Sequence, residues 1–176
     1  MPREASGASS SGAASEDYRI GIGYDSHRFE PGRPLILGGV RIQSDVGLAG
    51  HSDADAVCHA ITDAVLGAAS LGDIGEMFPD TDPGNKDRDS VGMLEAAVER
   101  VAGAGYRVRN VDVSVIAEAP RLAPQRDRIR SRLATALGVD SSAVSVKGKS
   151  NEGMGWIGRG EGLACIAVAT LIRKSK

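Results

Sequence analysis

Aromatic residues and charge of one sign are both scarce in this chain. Phe, Trp and Tyr make up only 3% of its 176 residues, so the core must be built from Val, Ile, Leu and Ala. The 21 Lys and Arg residues are balanced by 23 Asp and Glu, which leaves a net charge of -2. A general nucleic-acid binder usually carries a clear basic excess, so we expect small molecules or other proteins as partners, and no nucleic acid.

Long apolar runs and paired cysteines are also missing. The longest apolar run, LACIAVATLI, has ten residues. A membrane-spanning helix needs about twenty, so no membrane partner is expected. Cys58 and Cys165 are the two cysteines, and no C-x-x-C spacing joins them. Isolated thiols in apolar surroundings fit a reducing compartment better than a disulfide framework, so we expect a cytoplasmic location. The cytoplasm we expect is that of a bacterium.

The first 17 residues differ in composition from the rest. They are rich in Ser, Ala and Gly and contain no apolar signal region, which predicts a disordered tail or a cloning remnant over residues 1–17. A plastid transit peptide would be longer and poorer in acidic residues, so a plastid location is less favoured. Residues 18–176 suffice for one domain that buries roughly two thirds of its unfolded surface.

Hydrophobic periodicity predicts a single-domain α/β (α+β) sandwich, in which about three main helices pack on a mixed β-sheet. YRIGIGYDS has the period-2 pattern of a half-buried strand, and LILGGVRI predicts a strand with a bend or hairpin at its glycine pair. The final run LACIAVATLIRK is apolar on both faces, as in a central strand. Helices are predicted at residues 53–68, 90–102 and about 122–138, and further strands at NVDVSVIAE and AVSVKG.

A carboxylate and an imidazole stand two positions apart in GYDSHRF. Side chains at i and i+2 of an extended segment point the same way, so Asp25 and His27 project together. On the following helix His59 could add a third ligand, with Asp55 or Asp63 accepting its second N–H. Two His and one carboxylate with an open fourth position form a common catalytic zinc arrangement. Spacing alone leaves open that the three histidines are unrelated surface or capping residues.

The segment before the first helix predicts a helix cap. Ser52 can cap the helix and Asp55 can complete a capping box. The free N–H groups of a helix N-terminus also suit a phosphate, and the imidazole of His51 would add a donor.

Two long loops hold the remaining polar residues. KSNEGMGWIGRGEG is flexible enough for its backbone to approach an anion or a partner chain, although a plain glycine-rich turn explains it equally well. DIGEMFPDTDP is acidic but lacks the spacing of an EF-hand, so a solvated turn is favoured for most of its carboxylates.

Several segments together resemble one enzyme family. They are RIGIGYDSHRF, GHSDADAVCHAITDAVLGAASLGDIGEMFPDTDP, NVDVSVIAEAP and GRGEG after an E-x-x-G loop. From about Tyr18 to Lys174 they are similar, in order and spacing, to 2-C-methyl-D-erythritol 2,4-cyclodiphosphate synthases of the non-mevalonate isoprenoid pathway. The resemblance implies a single catalytic domain over residues 18–176 that forms a homotrimer with active sites between subunits.

The resemblance also implies a phosphorus-oxygen lyase. The substrate would be 4-diphosphocytidyl-2-C-methyl-D-erythritol 2-phosphate, and the products the cyclic diphosphate and CMP. Asp25, His27 and His59 would hold Zn²⁺, and Glu152 a second cation, Mg²⁺ or Mn²⁺, with the substrate diphosphate. Two alternatives from other classes stay open: a zinc-dependent phosphoesterase, and a non-catalytic trimeric binding module that keeps the metal for assembly.

Site residues are carried over by the same resemblance. His51 and Ser150 resemble the catalytic residues that stabilise the transition state. Gly153 stands where many members have a basic residue, and whether an isoprenoid diphosphate binds at the trimer axis is left open. The implied substrate-binding residues are Asp25, Ser26, His27, His51, Ser52, Asp73, Ile74, Gly75, Phe78, Pro79, Asp80, Thr81, Asp82, Ala117, Glu118, Ala119, Pro120, Arg121, Leu122, Ala123, Lys149, Ser150, Asn151, Glu152, Trp156 and Arg159.

Overall fold

A computed structural model describes residues 17–79, 81–85 and 88–174 of the protein. Its main sheet has five strands in the order β4-β1-β7-β5-β6, and it is mixed because β5 and β6 are parallel while the other pairs are antiparallel. A separate hairpin is formed by β2 and β3. The strands are β1 (Tyr18–Pro31), β2 (Leu35–Leu37), β3 (Val40–Ile42), β4 (Val46–Leu48), β5 (Tyr106–Ile116), β6 (Val144–Lys149) and β7 (Gly162–Arg173).

Three helices of 12 to 14 residues provide the second layer, which confirms the predicted mixed α+β domain. Two further helices, of four residues each, lie in the two segments that the sequence predicts to be long loops. The helices are α1 (Ala56–Ala69), α2 (Ile74–Met77), α3 (Ser90–Gly103), α4 (Arg126–Leu137) and α5 (Gly155–Gly158).

Helix α1 begins later than predicted. Its N-cap is Asp55, whose carboxylate accepts hydrogen bonds from the N–H groups of Val57 and Cys58. The same carboxylate accepts from Gly38 and Gly39, which turn the β2–β3 hairpin with positive φ angles. The predicted capping box led by Ser52 is therefore wrong, because Asp55 caps the helix and binds it to the hairpin.

Strand β1 is half-buried as predicted, but its glycine side faces the helix. A Cβ atom on Gly23 would lie 1.9 Å from the carbonyl oxygen of Ala60, and one on Gly21 2.0 Å from that of Ala64. The absence of these side chains lets α1 lie directly on the strand backbone. None of the described segments covers the apolar side, and Ile22 is 70% exposed.

Strand β7 is central, as its composition predicts, and lies between β1 and β5. Its side chains facing α1, including Cys165, are buried, whereas Ile166 and Val168 on the other face are about two fifths exposed, at 40% and 38%. These two pair across the sheet with Tyr24 and Ile22. The uncovered sheet face thus carries one apolar patch, which consists of Ile20, Ile22, Tyr24, Ile166 and Val168.

Both cysteines are buried free thiols, and burial raises the pKa of Cys58 and of Cys165 well above the ordinary value. Among the described helices, none is long and apolar enough to cross a membrane. Of the predicted tail, residue 17 is described: Asp17 accepts a hydrogen bond from Arg173. Residues 1–16 lie outside the described part of the chain, so the tail stays a prediction.

Candidate active site

The carboxylate and two imidazoles predicted to form a metal site do meet. Asp25 and His27 project from β1 toward α1, and His59 projects from the first turns of α1. Asp25 Oδ2 lies 2.8 Å from His27 Nε2 and 3.1 Å from His59 Nδ1, and the two nitrogens are 3.3 Å apart. A tetrahedral ion bound at about 2.0–2.1 Å places its ligand atoms roughly 3.3 Å apart, so this triad can close on one metal ion with small adjustments.

The outward nitrogen of each imidazole has its own partner. His27 Nδ1 is 2.6 Å from the carbonyl oxygen of Ala49, which can only accept, so this nitrogen carries the proton. His59 Nε2 is 2.9 Å from the hydroxyl oxygen of Ser90 and 3.2 Å from that of Ser52. When these nitrogens hold the protons, both inward nitrogens present lone pairs beside a carboxylate. Such a donor set requires a cation, which is the chemistry of a metal site.

The predicted partners of His59 are wrong. Asp55 is fully buried as the cap of α1, and Asp63 accepts a hydrogen bond from the N–H of Ile74 at the start of α2. Burial raises the pKa of Asp63, and the nearby charges of Asp73 and Asp25 add to this rise. Asp63 therefore ties the loop after α1 to the helix that carries His59.

The charges within the triad stabilise one another. Burial alone would raise the pKa of Asp25, but hydrogen bonds and charge interactions with His27 and His59 hold it well below its usual range. Burial would lower the pKa of His27, and its hydrogen bond to Asp25 and the charge of that carboxylate raise it above 6.5 instead. The carboxylate of Asp25 therefore favours positive charge on the neighbouring imidazole.

The segment that carries His51 and Ser52 runs beside the triad. Arg33 holds it by donating hydrogen bonds to the carbonyl oxygens of Gly50 and Ser52 at 2.8 and 2.7 Å. His51 lies between these two residues with its side chain exposed. The segment thus presents an imidazole to solvent next to the triad.

A separate cavity of about 370 Å³ lies at the ends of β5 and β6. Ala119, which has a cis peptide bond to Pro120, belongs to the same loop. Val115, Arg126 and Gly148, which were not among the predicted substrate-binding residues, also line the cavity. The predicted residues that line it are Ala117, Glu118, Pro120, Arg121, Leu122, Ala123, Lys149 and Ser150.

The turn after β6 is held by a carboxylate from across this cavity. Glu118 Oε1 accepts hydrogen bonds from the N–H groups of Asn151 and Gly153 at 3.0 and 3.1 Å. Between them Glu152 adopts a left-handed conformation, with φ at 52°, and its carboxylate accepts a hydrogen bond from Ser150 at 2.7 Å. A left-handed non-glycine residue is uncommon and persists where neighbours hold it. The turn therefore presents an exposed Glu152 in a fixed place.

The loop after α1 holds the other predicted substrate residues. Asp73 caps α2, which contains Ile74 and Gly75, by accepting a hydrogen bond from Glu76 at 2.8 Å. Phe78 is buried beneath the guanidinium of Arg88. Pro79, Thr81 and Asp82 follow at the exposed turn, and Asp80 lies outside the described residues.

Comparison with known proteins identifies the family. A sequence profile of the YgbB family matches residues 18–172. This chain belongs to the YgbB family. The chain is 65% identical over 154 residues to the 2-C-methyl-D-erythritol 2,4-cyclodiphosphate synthase of Gemmatimonas aurantiaca, covering 88% of this chain and 93% of that one.

Solved structures of YgbB-like proteins have the same fold. The bifunctional IspDF from Campylobacter jejuni superposes with a TM-score of 0.87 at 40% identity, and the match covers 90% of this chain but 43% of that longer protein. A Plasmodium falciparum protein, described as IspF in a CDP complex, superposes with a TM-score of 0.79 at 37% identity, covering 90% of this chain and 97% of that one.

In this YgbB chain the triad and the cavity lie at the same end of the sheet, but on different strands and well apart. Asp25, Cys165, Val115 and Gly148 are successive partners across β1, β7, β5 and β6. Three strand spacings put Asp25 roughly 14 Å from the cavity wall at Gly148. Two further predicted residues lie near the triad end of β1 and in the loop before β7: Trp156 lines a second cavity with Ser26 and His27, and Arg159 pairs with Glu161 at 2.6 Å.

Sequence reasoning missed three residues that touch these groups. Ser90 contacts His59, Arg33 holds the His51 segment, and Arg126 lines the cavity. From sequence alone, Ser90 is typical of the first residue of a helix, and the two arginines are typical of solvent-exposed charged residues. Local sequence carries no signal for contacts made across 17 to 31 positions.

Proposed function

We propose that this protein is a phosphorus-oxygen lyase that converts 4-diphosphocytidyl-2-C-methyl-D-erythritol 2-phosphate to 2-C-methyl-D-erythritol 2,4-cyclodiphosphate and CMP. The observation that carries the proposal is the convergence of Asp25, His27 and His59 in a chain so similar to named synthases. The CDP complex of the Plasmodium protein supports a cytidine nucleotide as ligand.

The reaction requires positioning more than acid–base chemistry. An oxygen of the 2-phosphate attacks the β-phosphorus, a new P–O bond forms, and the bond from the β-phosphorus to the CMP oxygen breaks. The nucleophile is already an anion, so no strong base is needed. In this mechanism His51 donates a hydrogen bond to a phosphate oxygen, the Ser150 hydroxyl turns from Glu152 to donate another, and Ser52 contacts a phosphate beside the triad. Donors fixed where negative charge develops lower the barrier.

Two cation sites are proposed in this mechanism. Asp25, His27 and His59 would hold Zn²⁺, and Glu152 would hold Mg²⁺ or Mn²⁺ with the substrate diphosphate. Bound cations supply Lewis acidity and a template for the crowded phosphates. The turn fixed by Glu118 keeps Glu152 oriented for this role.

The proposed substrate contacts fall into two groups. Residues 117–123 and 149–152 contact the cytidine and its phosphates, and most of them line the cavity of about 370 Å³. Asp73 and Gly75 contact the hydroxyls of the methylerythritol, with residues 78–82 beside them. Because the triad and this cavity lie on separate strands of one chain, a site completed by a neighbouring subunit accounts for both groups.

A homotrimer is proposed on the same basis. The uncovered sheet face carries the apolar patch of Ile20, Ile22, Tyr24, Ile166 and Val168. Contiguous apolar surface of this kind usually marks a protein contact. We assign this patch to subunit contacts, with Trp156 and Arg159 near the trimer axis, and we place the enzyme in the bacterial cytoplasm.

The two alternatives left open by the sequence have no counterpart among the relatives described above. A phosphoesterase would activate water and release a free monophosphate or inorganic phosphate. A binding module would leave the substrate unchanged. Phosphorus NMR of the purified protein with the cytidyl substrate, Zn²⁺ and Mg²⁺ separates the three. We expect CMP and a cyclic diphosphate, both abolished by a chelator; hydrolysis alone or an untouched substrate would contradict the proposal.

A further inference from the structure

We infer that Ser90 and Asp53 are positioning residues that fix the tautomer and orientation of His59, and so set the affinity of the triad for its metal. The inference rests on the proposed function, because it concerns the metal bound there. Neither residue belongs to the ligand triad or to the predicted substrate contacts.

The contacts form a chain with a single direction. Ser90 Oγ is bonded to both His59 Nε2 and Asp53 Oδ1, and the peptide N–H of Ser90 donates to Asp53 Oδ2 at 3.2 Å. An ionised carboxylate only accepts, so the one hydroxyl proton of Ser90 points to Asp53. The lone pairs of Ser90 then face His59 and require a proton on Nε2. Consequently Nδ1 keeps its lone pair for the metal.

Among the described residues, the hydroxyl of Ser90 contacts His59, Asp53 and, at the longer distance of 3.5 Å, the hydroxyl of Ser52. Ser90 is fully buried as the first residue of α3, but the cap of α3 is Asp89, which accepts from the N–H of Gly92 at 2.9 Å. A serine at this position is not needed for the helix. Its burial against an imidazole and a carboxylate is therefore best explained by the hydrogen bond to His59.

Ser52 is a weaker candidate for the same role. Its hydroxyl oxygen is 3.2 Å from His59 Nε2, against 2.9 Å for Ser90. It also accepts a hydrogen bond from the N–H of Ala54 at 3.1 Å, and no carboxylate orients its proton. Ser52 can therefore point its proton in either direction, whereas Ser90 cannot.

The test compares zinc affinities of the full-length protein and its variants. Zinc is titrated into metal-free protein against a chromophoric chelator. We expect Ser90→Ala and Asp53→Asn to weaken zinc binding by about 10–100-fold, the usual effect of removing a partner of a metal-bound histidine. The asparagine side chain has one oxygen where aspartate has two. It therefore cannot accept hydrogen bonds from both the N–H and the hydroxyl of Ser90 in the present geometry. Thr62→Val is the matched control, since it also removes a buried hydroxyl, here one on α1 that donates to the carbonyl oxygen of Cys58. This variant should keep the zinc affinity of the wild type.

A spectroscopic readout separates positioning from stability. In the zinc-loaded wild type, nitrogen NMR should show a His59 Nε2–H proton protected from exchange, and this protection should be lost in Ser90→Ala. Unchanged affinity, within about twofold, together with an unchanged Nε2–H signal in Ser90→Ala would overturn the inference while leaving the proposed function intact. A wild-type protein without His59-dependent zinc binding would instead overturn the proposed metal site itself.

Discussion

His59 Nδ1 lies 3.1 Å from Asp25 Oδ2, although 34 positions of sequence separate the two residues. The contact exists because α1 lies directly on the backbone of β1. Gly23, two positions before Asp25, faces Ala60, which follows His59. The strand and the helix therefore bring their ligands together as a consequence of close packing, and the triad depends on that packing.

Removal of one ligand should empty the metal site. His59→Ala should weaken zinc binding by more than about 100-fold, because a single carboxylate and a single imidazole cannot hold the ion tightly. Elemental analysis after dialysis measures the loss. His51→Ala is the control, since it removes a histidine outside the triad and should retain zinc. Full retention of zinc by His59→Ala would remove this residue from the site.

The two proposed cation sites should be separable. Glu152→Gln should leave the zinc content unchanged and lower turnover by about 100-fold or more, because the second cation loses its carboxylate. Steady-state release of CMP and zinc analysis on the same sample measure both effects. Glu99→Gln, at an exposed position of α3, is the matched control and should retain full turnover. Equal turnover of the two variants would show that Glu152 holds no essential cation.

The glycine side of β1 should not tolerate a methyl group. Gly23→Ala puts a Cβ atom against the backbone of α1, which cannot move aside, and should lower the free energy of unfolding by about 3 kcal/mol or more. Gly67→Ala, within α1, meets nothing within 4 Å and should raise it by about 0.5–1 kcal/mol. Urea denaturation compares the two variants. Similar stabilities for both would mean that the strand and helix are farther apart than described.

The apolar patch should be required for assembly. Light scattering of the wild type should give three times the chain mass of 18.2 kDa. Ile22→Asp should shift it toward the monomer and abolish turnover, because a carboxylate at the centre of the patch cannot be buried without a partner. Ile22→Val keeps the patch apolar and should remain trimeric. An active Ile22→Asp monomer would exclude an active site shared between subunits.

Zinc binding should weaken on acidification. In the metal-free protein the pKa of His27 is raised above the ordinary 6.5, so protons compete with zinc already above that pH. The affinity should be highest when His27 is neutral and should fall as the pH falls through its pKa. Competition titrations between about pH 5 and 8 measure this dependence. A constant affinity over this range would argue against an imidazole ligand with a raised pKa.

Much of the fold follows from local sequence. Hydrophobic periodicity predicts the start of α3 at Ser90 and its end within one residue, and an apolar composition on both faces predicts the central place of β7. These features depend on neighbouring residues, so the sequence carries them directly. The meeting of Asp25 and His27 with His59 was proposed from residue type and strengthened by the family resemblance.

Contacts across the chain were harder to predict. Alternation in β1 shows that one side is buried but not which side, and the burial of Gly21 and Gly23 follows only from the approach of α1. Similarly, Asp55 and Asp63 are correctly spaced to reach His59 along the helix, yet each is occupied by a backbone donor from another segment. Ser90, which does reach His59, comes from a different helix.

The burial of both native thiols makes this chain convenient for site-specific labelling. Thiolate is the reactive form, and neither Cys58 nor Cys165 is exposed or readily ionised, so maleimide dyes should leave both unmodified in the folded protein. A single cysteine introduced at exposed Glu99 would then take up one fluorophore per chain. Energy transfer between such fluorophores would follow exchange of subunits in the proposed trimer in real time, without removal of a native cysteine.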